Sequence, residues 1–349
     1  MWIETSLQPV VRALVLAAIT CLAMVAFAQD ADPVAFIYPA QDKDLGPDND
    51  LMDYLRKNTT SHIRFEDGRR FNYQDVITDV LKYSKDGTRY VARLTPYAYV
   101  AAELQGADFE VLATYVSKAT GTVTYHSYLV VRGETAGDPY KFSTAPTQRD
   151  VIEYLEKPKP VKPTDPPPVW SPRTFVYHDK FSTSSYFVPS VFFRANRIFN
   201  TAPGAGGTLN PITVVERSDK KSSELIRMVA NREADIAAVW DGTKKSFESD
   251  PKHAGLMANL RFIEIPTALP NDLLVCSKNL PLAQKEELRA AIRGMKGCSN
   301  GKPAFGGADS DFACWMDIGD AGEASKALVG LRREAIAPPA SVTVRIRLA

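Results

Sequence analysis

The sequence has no excess of charge of either sign, which narrows the kinds of partner that it can have. Its 42 Lys and Arg residues are balanced by 41 Asp and Glu residues, so the formal net charge is +1. Surfaces that bind nucleic acid carry clusters of basic residues, and acidic tails are typical of proteins with other charged partners. We therefore predict no nucleic-acid partner.

Histidine is scarce, and its positions indicate no metal chemistry. The four histidines, at positions 62, 126, 178 and 253, lack the spacing of metal ligands. The sequence also has no Gly-Lys-Ser or Gly-Lys-Thr loop that would cradle a nucleotide phosphate. We predict no catalytic residue, no metal and no cofactor.

Long apolar runs are confined to the N-terminus. Arg12 precedes an apolar run from Ala13 to Phe27, and small residues at Ala26 and Ala28 match the positions that a signal peptidase recognises. The run is too short for a comfortable membrane span. It predicts a signal peptide over residues 1–28, cleaved before Gln29, and hence a periplasmic protein.

Cysteine is also rare, and the segment after residue 28 has an odd number. Cys276 lies in an apolar run and is typical of a small core residue. Cys298 and Cys314 flank a Gly-rich stretch, and in an oxidising compartment they could form a disulfide. The alternative is that two or three of these thiols stay buried and reduced.

What the chain does contain is an alternation of strand-like and helical segments. Apolar runs such as Tyr90–Leu94 alternate with segments of helical periodicity, which predicts an α/β fold with mainly parallel sheets. In such folds ligands bind beyond the carboxyl ends of the strands. Seven prolines between Lys157 and Pro172 predict an irregular surface insertion or linker.

One short stretch stands out as a candidate binding site. A β-branched and aromatic run from Phe175 to Tyr177 is followed by the hydroxyl cluster Ser182-Thr183-Ser184-Ser185 at the start of a predicted helix. Hydroxyls beside free N–H groups at the positive end of a helix dipole suit an anion. Ser and Thr also cap helices that bind no ligand, and both interpretations stay open at this point.

Several further motifs follow in a characteristic order. They are Asn72-Tyr73-Gln74-Asp75, Thr95-Pro96-Tyr97-Ala98-Tyr99-Val100-Ala101-Ala102, Ser182-Thr183-Ser184-Ser185-Tyr186, the segment Val229–Val239, Pro270-Asn271-Asp272 and Lys278-Asn279-Leu280-Pro281. This order resembles that of the phosphate/phosphite/phosphonate-binding proteins of ABC importers, a branch of the type II periplasmic binding proteins. The resemblance covers residues 33–330.

The resemblance implies a fold of two α/β lobes, each a mainly parallel sheet flanked by helices. Lobe one would comprise residues 29–131, completed by residues 272–349, and lobe two would comprise residues 132–271 with the proline-rich insertion at 157–172. Two crossing hinge strands would lie near 127–131 and 272–276.

The resemblance also implies a set of ligand-binding residues between the lobes. Hydroxyl and phenol donors would come from both lobes, and one carboxylate would face the ligand near the hinge; the residues are Ser182, Thr183, Ser184, Tyr73, Tyr99 and Asp272. Tyr73 and Tyr99 could equally be core aromatics.

Some residues depart from the family pattern. Lys221-Ser222 stands where the family often has Gly-Ser-His, so Ser222 is the candidate at a position whose His usually contacts the ligand. Without that His the site has little positive charge, and Asp272 would repel a dianion. We therefore expect a singly protonated or zwitterionic ligand.

These observations predict a periplasmic solute-binding protein that captures a small tetrahedral oxyanion and passes it to the membrane permease of an ABC importer. The protein is expected to be a monomer and not an enzyme. The alternatives are an exported sensor subunit, or an enzyme on the same fold related to pyrimidine-precursor synthases.

Overall fold

The structure is a computed structural model that describes residues 33–39, 46–59, 63–70, 72–118, 120–135, 138, 140–157, 159–160, 170–196, 198, 212–295 and 312–336. The predicted signal peptide, residues 161–169 of the proline-rich insertion, and Cys298 lie outside these residues. No described helix is long and apolar enough to cross a membrane.

The described elements alternate between strand and helix, as the sequence predicts. In chain order they are β1 (Pro33–Pro39), α1 (Gly46–Asn58), β2 (Arg64–Arg70), α2 (Tyr73–Asp86), β3 (Tyr90–Leu94), α3 (Pro96–Leu104), β4 (Phe109–Ser117), β5 (Thr124–Arg132), α4 (Gln148–Glu156), β6 (Lys159–Pro160), β7 (Trp170–Ser171), β8 (Arg173–Tyr177), a π-helical turn (Thr183–Phe187), α5 (Val188–Ala195), β9 (Ile212–Glu216), α6 (Ser222–Ala230), β10 (Ile236–Trp240), α7 (Asp241–Ser249), a 3₁₀ turn (Pro251–His253), α8 (Ala254–Met257), β11 (Leu260–Pro270), β12 (Leu273–Ser277), α9 (Leu282–Arg293), β13 (Phe312–Asp317) and α10 (Gly322–Ile336).

Two sheets flanked by helices form the two lobes. The first has the strand order β13-β4-β12-β3-β1-β2, and the second has the order β11-β5-β10-β8-β9. The predicted two-lobed α/β fold is confirmed, but the sheets are mixed and not mainly parallel. In the first sheet β1, β2 and β3 are parallel, whereas β12 pairs antiparallel with both β3 and β4 because it enters from the other lobe.

The chain changes sheet at two crossings that lie side by side. One is the segment between Ser117 and Thr124, which precedes the boundary predicted at residue 131, so the strand predicted near 127–131 lies wholly within the second sheet as β5. The other is the segment between Pro270 and Leu273.

Asn271 ties the two crossings together. Its fully buried side-chain amide donates to the carbonyl oxygens of Tyr115, at 2.9 Å, and Thr122, at 2.8 Å, and its main-chain N–H donates to the carbonyl oxygen of Val123 at 2.9 Å. The two segments that connect the sheets are therefore held together by hydrogen bonds from one buried residue.

We expect Asn271→Ala to lower the free energy of unfolding by about 1–3 kcal/mol, because the bond from the buried amide to the Tyr115 carbonyl oxygen and the bond that ties the Thr122 carbonyl to it would both be lost. Urea denaturation measures the loss. Asn58→Ala is the matched control, since the exposed Asn58 amide also donates to a carbonyl oxygen, that of Tyr54 at 2.8 Å. Equal effects of the two substitutions would contradict the stabilising role of the Asn271 amide.

The cysteines differ in state. Cys276 is a free, buried thiol whose pKa burial raises to about 12, and Cys314 is disulfide-bonded. Its predicted partner Cys298 lies outside the described residues. We expect thiol counting on the denatured, non-reduced mature chain to find one free thiol; a count of three would contradict the predicted bridge.

Candidate functional site

The hydroxyl cluster forms a tight turn at the carboxyl end of β8. The side chain of Asp179 accepts from the main-chain N–H of Phe181 at 2.7 Å. The Ser182 hydroxyl accepts from the main-chain N–H of Ser185 at 3.3 Å. The carbonyl oxygen of Ser182 then accepts from Phe187 at 3.0 Å, which winds the first turn as a π-helix. The turn therefore presents Thr183 and Ser184 side by side at a helix start.

The polar groups of this turn have different hydrogen-bond partners. The Ser185 Oγ accepts from the N–H of His178 at 2.8 Å, so this side chain braces the turn from within. The Ser184 carbonyl accepts from the hydroxyl of Ser127 at 2.7 Å. The buried phenol of Tyr125 lies near the Thr183 and Ser184 side chains, and burial raises the pKa of this phenol.

The opposite lobe contacts the turn through the start of α3. The main-chain N–H of Tyr97 donates to the Thr183 hydroxyl at 2.9 Å, and the Thr95 hydroxyl donates to the Phe181 carbonyl at 2.8 Å. The ring of Tyr97 stacks on that of Phe187 with 4.1 Å between centroids. The two lobes thus meet where the start of α3 contacts the hydroxyl turn.

The neighbouring helix starts of lobe two are closed to an anion. The first turn of α6 contains Glu224, whose carboxylate accepts from the main-chain N–H of Lys221 at 2.8 Å. The first turn of α7 begins with the buried carboxylate of Asp241, and the Trp240 ring lies against Gly242. By contrast, neither the π-helical turn nor α3 has an acidic residue in its first turn.

Two predicted site residues do not belong to this group. Ser222 is the first residue of α6, where the Glu224 carboxylate already occupies the helix start and would repel an anion. The Tyr99 hydroxyl donates to Glu103 at 3.2 Å and accepts from Arg332 of α10, and its pKa is raised by burial to about 12. Tyr99 points away from the turn because it is two residues beyond Tyr97 on α3. The Tyr99 hydroxyl therefore contacts the C-terminal helix, and its ligand role stays a prediction.

The sequence interpretation missed an ion cluster at the edge of lobe one. Arg93, at the end of β3, donates to both carboxylate oxygens of Asp48, at 2.7 and 2.8 Å, and to Asp272 at 2.7 Å. Arg93 is 9% exposed. The Tyr73 side chain, at the start of α2, lies close enough to interact electrostatically with this guanidinium.

This cluster changes what Asp272 can do. The expectation that the cleft has little positive charge beside Asp272 is wrong, since Arg93 contacts that carboxylate directly. Burial nevertheless raises the pKa of Asp272, and the Arg93 charge opposes this rise. Among the described residues, no group of three or more His, Cys, Asp and Glu could hold a metal ion.

Comparisons with known proteins match this architecture. Residues 49–313 match the family model described as ABC transporter, phosphonate, periplasmic substrate-binding protein. A search of curated proteins finds no significant match.

Three solved structures share the fold. A binding protein component of an ABC phosphonate transporter from Pseudomonas aeruginosa is 18% identical, with 88% of each chain covered and a TM-score of 0.55. PhnD1 from Prochlorococcus marinus, in complex with methylphosphonate, is 14% identical, with 87% of this chain and 99% of that chain covered and a TM-score of 0.53. XAC2383 from Xanthomonas citri, bound to ATP, is 14% identical, with 87% and 98% covered and a TM-score of 0.56.

The family model spans well over half of the chain. The chain therefore belongs to the phosphonate-binding periplasmic substrate-binding proteins of ABC transporters, a family of transport proteins and not of enzymes.

Proposed function

We propose that the cleft between the lobes binds a small tetrahedral oxyanion of the phosphonate, phosphite or phosphate type at the turn of Ser182, Thr183 and Ser184. The observation that carries this proposal is the pair of helix starts, at Thr95 and Ser182, that contact each other and have no acidic residue in their first turns. Tyr73 adds a phenol donor from lobe one.

The donors of this site are neutral. Thr183 and Ser184 are 2% and 7% exposed. A bound anion would therefore exchange its hydration water for hydroxyl and main-chain N–H donors. Neutral donors suit reversible capture, because the lobes can open without leaving a buried unpaired cation. The methylphosphonate complex of the Prochlorococcus marinus protein supports this ligand class.

The rest of the transport role follows from this capture. The loaded protein would deliver its ligand as a monomer to the membrane permease, after export by the signal peptide of residues 1–28. Lobe one would comprise the segments on either side of lobe two, with the hinge at the two crossings.

Calorimetric titration of the mature protein tests the proposal. Methylphosphonate, phosphite and phosphate are the probes, and mass spectrometry identifies any ligand released from the purified protein. We expect at least one of the three anions to bind with one site per chain and to be recovered unmodified. If none of them binds, the proposed function is wrong.

A further inference from the structure

The side chain of Tyr97 crosses from lobe one to lobe two beside the proposed site. Tyr97 is in the first turn of α3, in lobe one, whereas the two rings that it contacts belong to lobe two. Its ring stacks on that of Phe187, with 4.1 Å between centroids and 21° between the planes. The ring of Phe181 lies 6.3 Å from it, at 29°. Three aromatic rings therefore meet across the boundary between the lobes.

The two rings of lobe two flank the hydroxyl turn in the chain. Phe181 directly precedes Ser182, and Phe187 is the last residue of the π-helical turn that begins at Thr183. Tyr97 thus contacts the residues on both sides of the proposed anion-binding segment.

Hydrogen bonds join the same parts of the two lobes. The main-chain N–H of Tyr97 donates to the Thr183 hydroxyl oxygen, and the Thr95 hydroxyl donates to the Phe181 carbonyl oxygen. Because the rings and the hydrogen bonds involve the same few residues, we expect them to form and break together when the lobes move. The ring contacts therefore help to hold the Tyr97 N–H on Thr183.

Separating the lobes at this point would expose apolar surface. Phe187 is 5% exposed, and the Tyr97 ring is partly buried against the core that contains it. Exposure of both ring faces to water is unfavourable, and stacked aromatic pairs contribute beyond the area that they bury. These contacts join protein groups only, so they stabilise the closed arrangement, in which α3 contacts the hydroxyl turn, independently of a ligand.

We propose that Tyr97 is an inter-lobe latch, whose ring, stacked on Phe187 and beside Phe181, stabilises the closed arrangement of the lobes independently of a ligand. Tyr97 is then a positioning residue, because its ring acts on the ligand through Thr183 and not by a contact of its own. The effect on the lobes does not depend on the identity of the ligand. The effect on affinity rests on the proposed function.

A latch of this kind raises affinity by raising the population of the closed arrangement. The apparent Kd is the intrinsic Kd divided by the fraction of molecules in the binding-competent arrangement. Tyr97→Ala lowers this fraction but retains the main-chain N–H that donates to Thr183. Any loss of affinity is therefore an effect of the missing ring.

The test has two readouts on the mature protein. Small-angle X-ray scattering without added ligand measures the radius of gyration, and we expect a larger value for Tyr97→Ala than for the parent protein. Calorimetry with methylphosphonate measures the Kd, which we expect to rise about fivefold, the scale of one aromatic stacking interaction.

Three further variants distinguish the latch from a general structural effect. Tyr97→Phe retains the ring and should keep the parent radius of gyration and a Kd within about twofold of the parent value. Tyr97→Leu, with a smaller apolar side chain, should lie between Phe and Ala. Tyr83→Ala is the matched control, because Tyr83 is also partly buried but contacts Tyr90 within lobe one, at 6.2 Å between centroids. It should change neither readout.

The outcomes separate the latch from the proposed function. A radius of gyration for Tyr97→Ala equal to that of the parent protein would overturn the latch, and so would a loss of affinity as large for Tyr97→Phe as for Tyr97→Ala. If no anion binds to the parent protein, the proposed function fails, but a larger radius of gyration for Tyr97→Ala alone would still support the latch.

Discussion

Thr183→Val is expected to weaken binding of methylphosphonate by about ten- to a hundredfold. The substitution keeps the β-branched shape of the side chain and removes only its hydroxyl. That hydroxyl accepts from the main-chain N–H of Tyr97, and in the proposed complex it would donate its own proton to the ligand. Each hydrogen bond to a charged partner that is lost costs about 1–3 kcal/mol.

Two lost hydrogen bonds should contribute to the weaker binding of methylphosphonate. Valine leaves the Tyr97 N–H without its acceptor in the closed protein, because residue 183 is 2% exposed and water does not reach it. It also leaves one ligand oxygen without a donor. Both terms act in the ligand-bound state, so calorimetry should record them together as a higher Kd.

Thr183→Ser is the matched control, since it retains the hydroxyl. We expect its affinity to stay within about threefold of the parent, the small cost of one lost methyl group at a packed position. If Thr183→Val binds methylphosphonate as tightly as the parent protein does, the hydroxyl turn is not the ligand site.

Arg93→Met is expected to lower the free energy of unfolding by about 3–5 kcal/mol near neutral pH. Methionine fills a similar volume but leaves the carboxylates of Asp48 and Asp272 buried without their cation. Breaking a buried ion pair by removing one partner has costs of this size. Chemical denaturation at about pH 7.5 measures the effect.

The deficit of Arg93→Met should shrink as the pH falls. Burial already raises the pKa of Asp272 in the folded parent, and Arg93 opposes that rise. Without Arg93 the folded-state pKa rises further above the unfolded value, so the folded variant takes up a proton more readily. Its relative stability is then highest at low pH and is lost as the pH rises through the folded-state pKa.

Unfolding free energies measured at about pH 5 and about pH 7.5 therefore distinguish the effect of the lost charge from the effect of altered packing. Arg149→Met is the control, because Arg149 forms an exposed pair with Glu153 and should cost no more than about 0.5 kcal/mol at either pH. A deficit of Arg93→Met that is the same at both pH values would contradict the electrostatic account.

The hydroxyl turn could be predicted from sequence because all its determinants are local. A strand, four successive hydroxyl residues and a helical segment follow one another, and the caps that shape the turn come from Asp179 and Ser182. The strand and helix pattern likewise predicted an α/β fold, and the family resemblance implied its two lobes. The mixed direction of the sheets is a long-range property, set by strands that return from the other lobe.

Arg93 was missed because its partners are distant in sequence. Asp48 and Asp272 lie 45 and 179 positions away, and no local pattern joins the three residues. One signal was present, namely a single arginine within the apolar strand Tyr90–Leu94. A buried charge requires partners, and that requirement alone could have marked it as part of a cluster.

The neighbours of the Tyr99 hydroxyl could not be predicted from the sequence for a related reason. The motif resemblance placed it in the cleft, but a helix has several faces and the motif does not say which one each tyrosine occupies. Arg332, 233 positions away, takes its hydroxyl, while the cleft contact falls to the main chain of Tyr97. Ser222, a predicted ligand-binding residue, lies at a helix start that the Glu224 carboxylate already occupies.

The central claim is that the turn of Ser182, Thr183 and Ser184 holds a tetrahedral oxyanion between the lobes. A crystal structure of the mature protein with methylphosphonate tests it most directly. We predict that the phosphonate oxygens lie within hydrogen-bonding distance of the Thr183 and Ser184 hydroxyls. A phosphonate bound at a different place, with this turn occupied only by protein or water, would contradict the account.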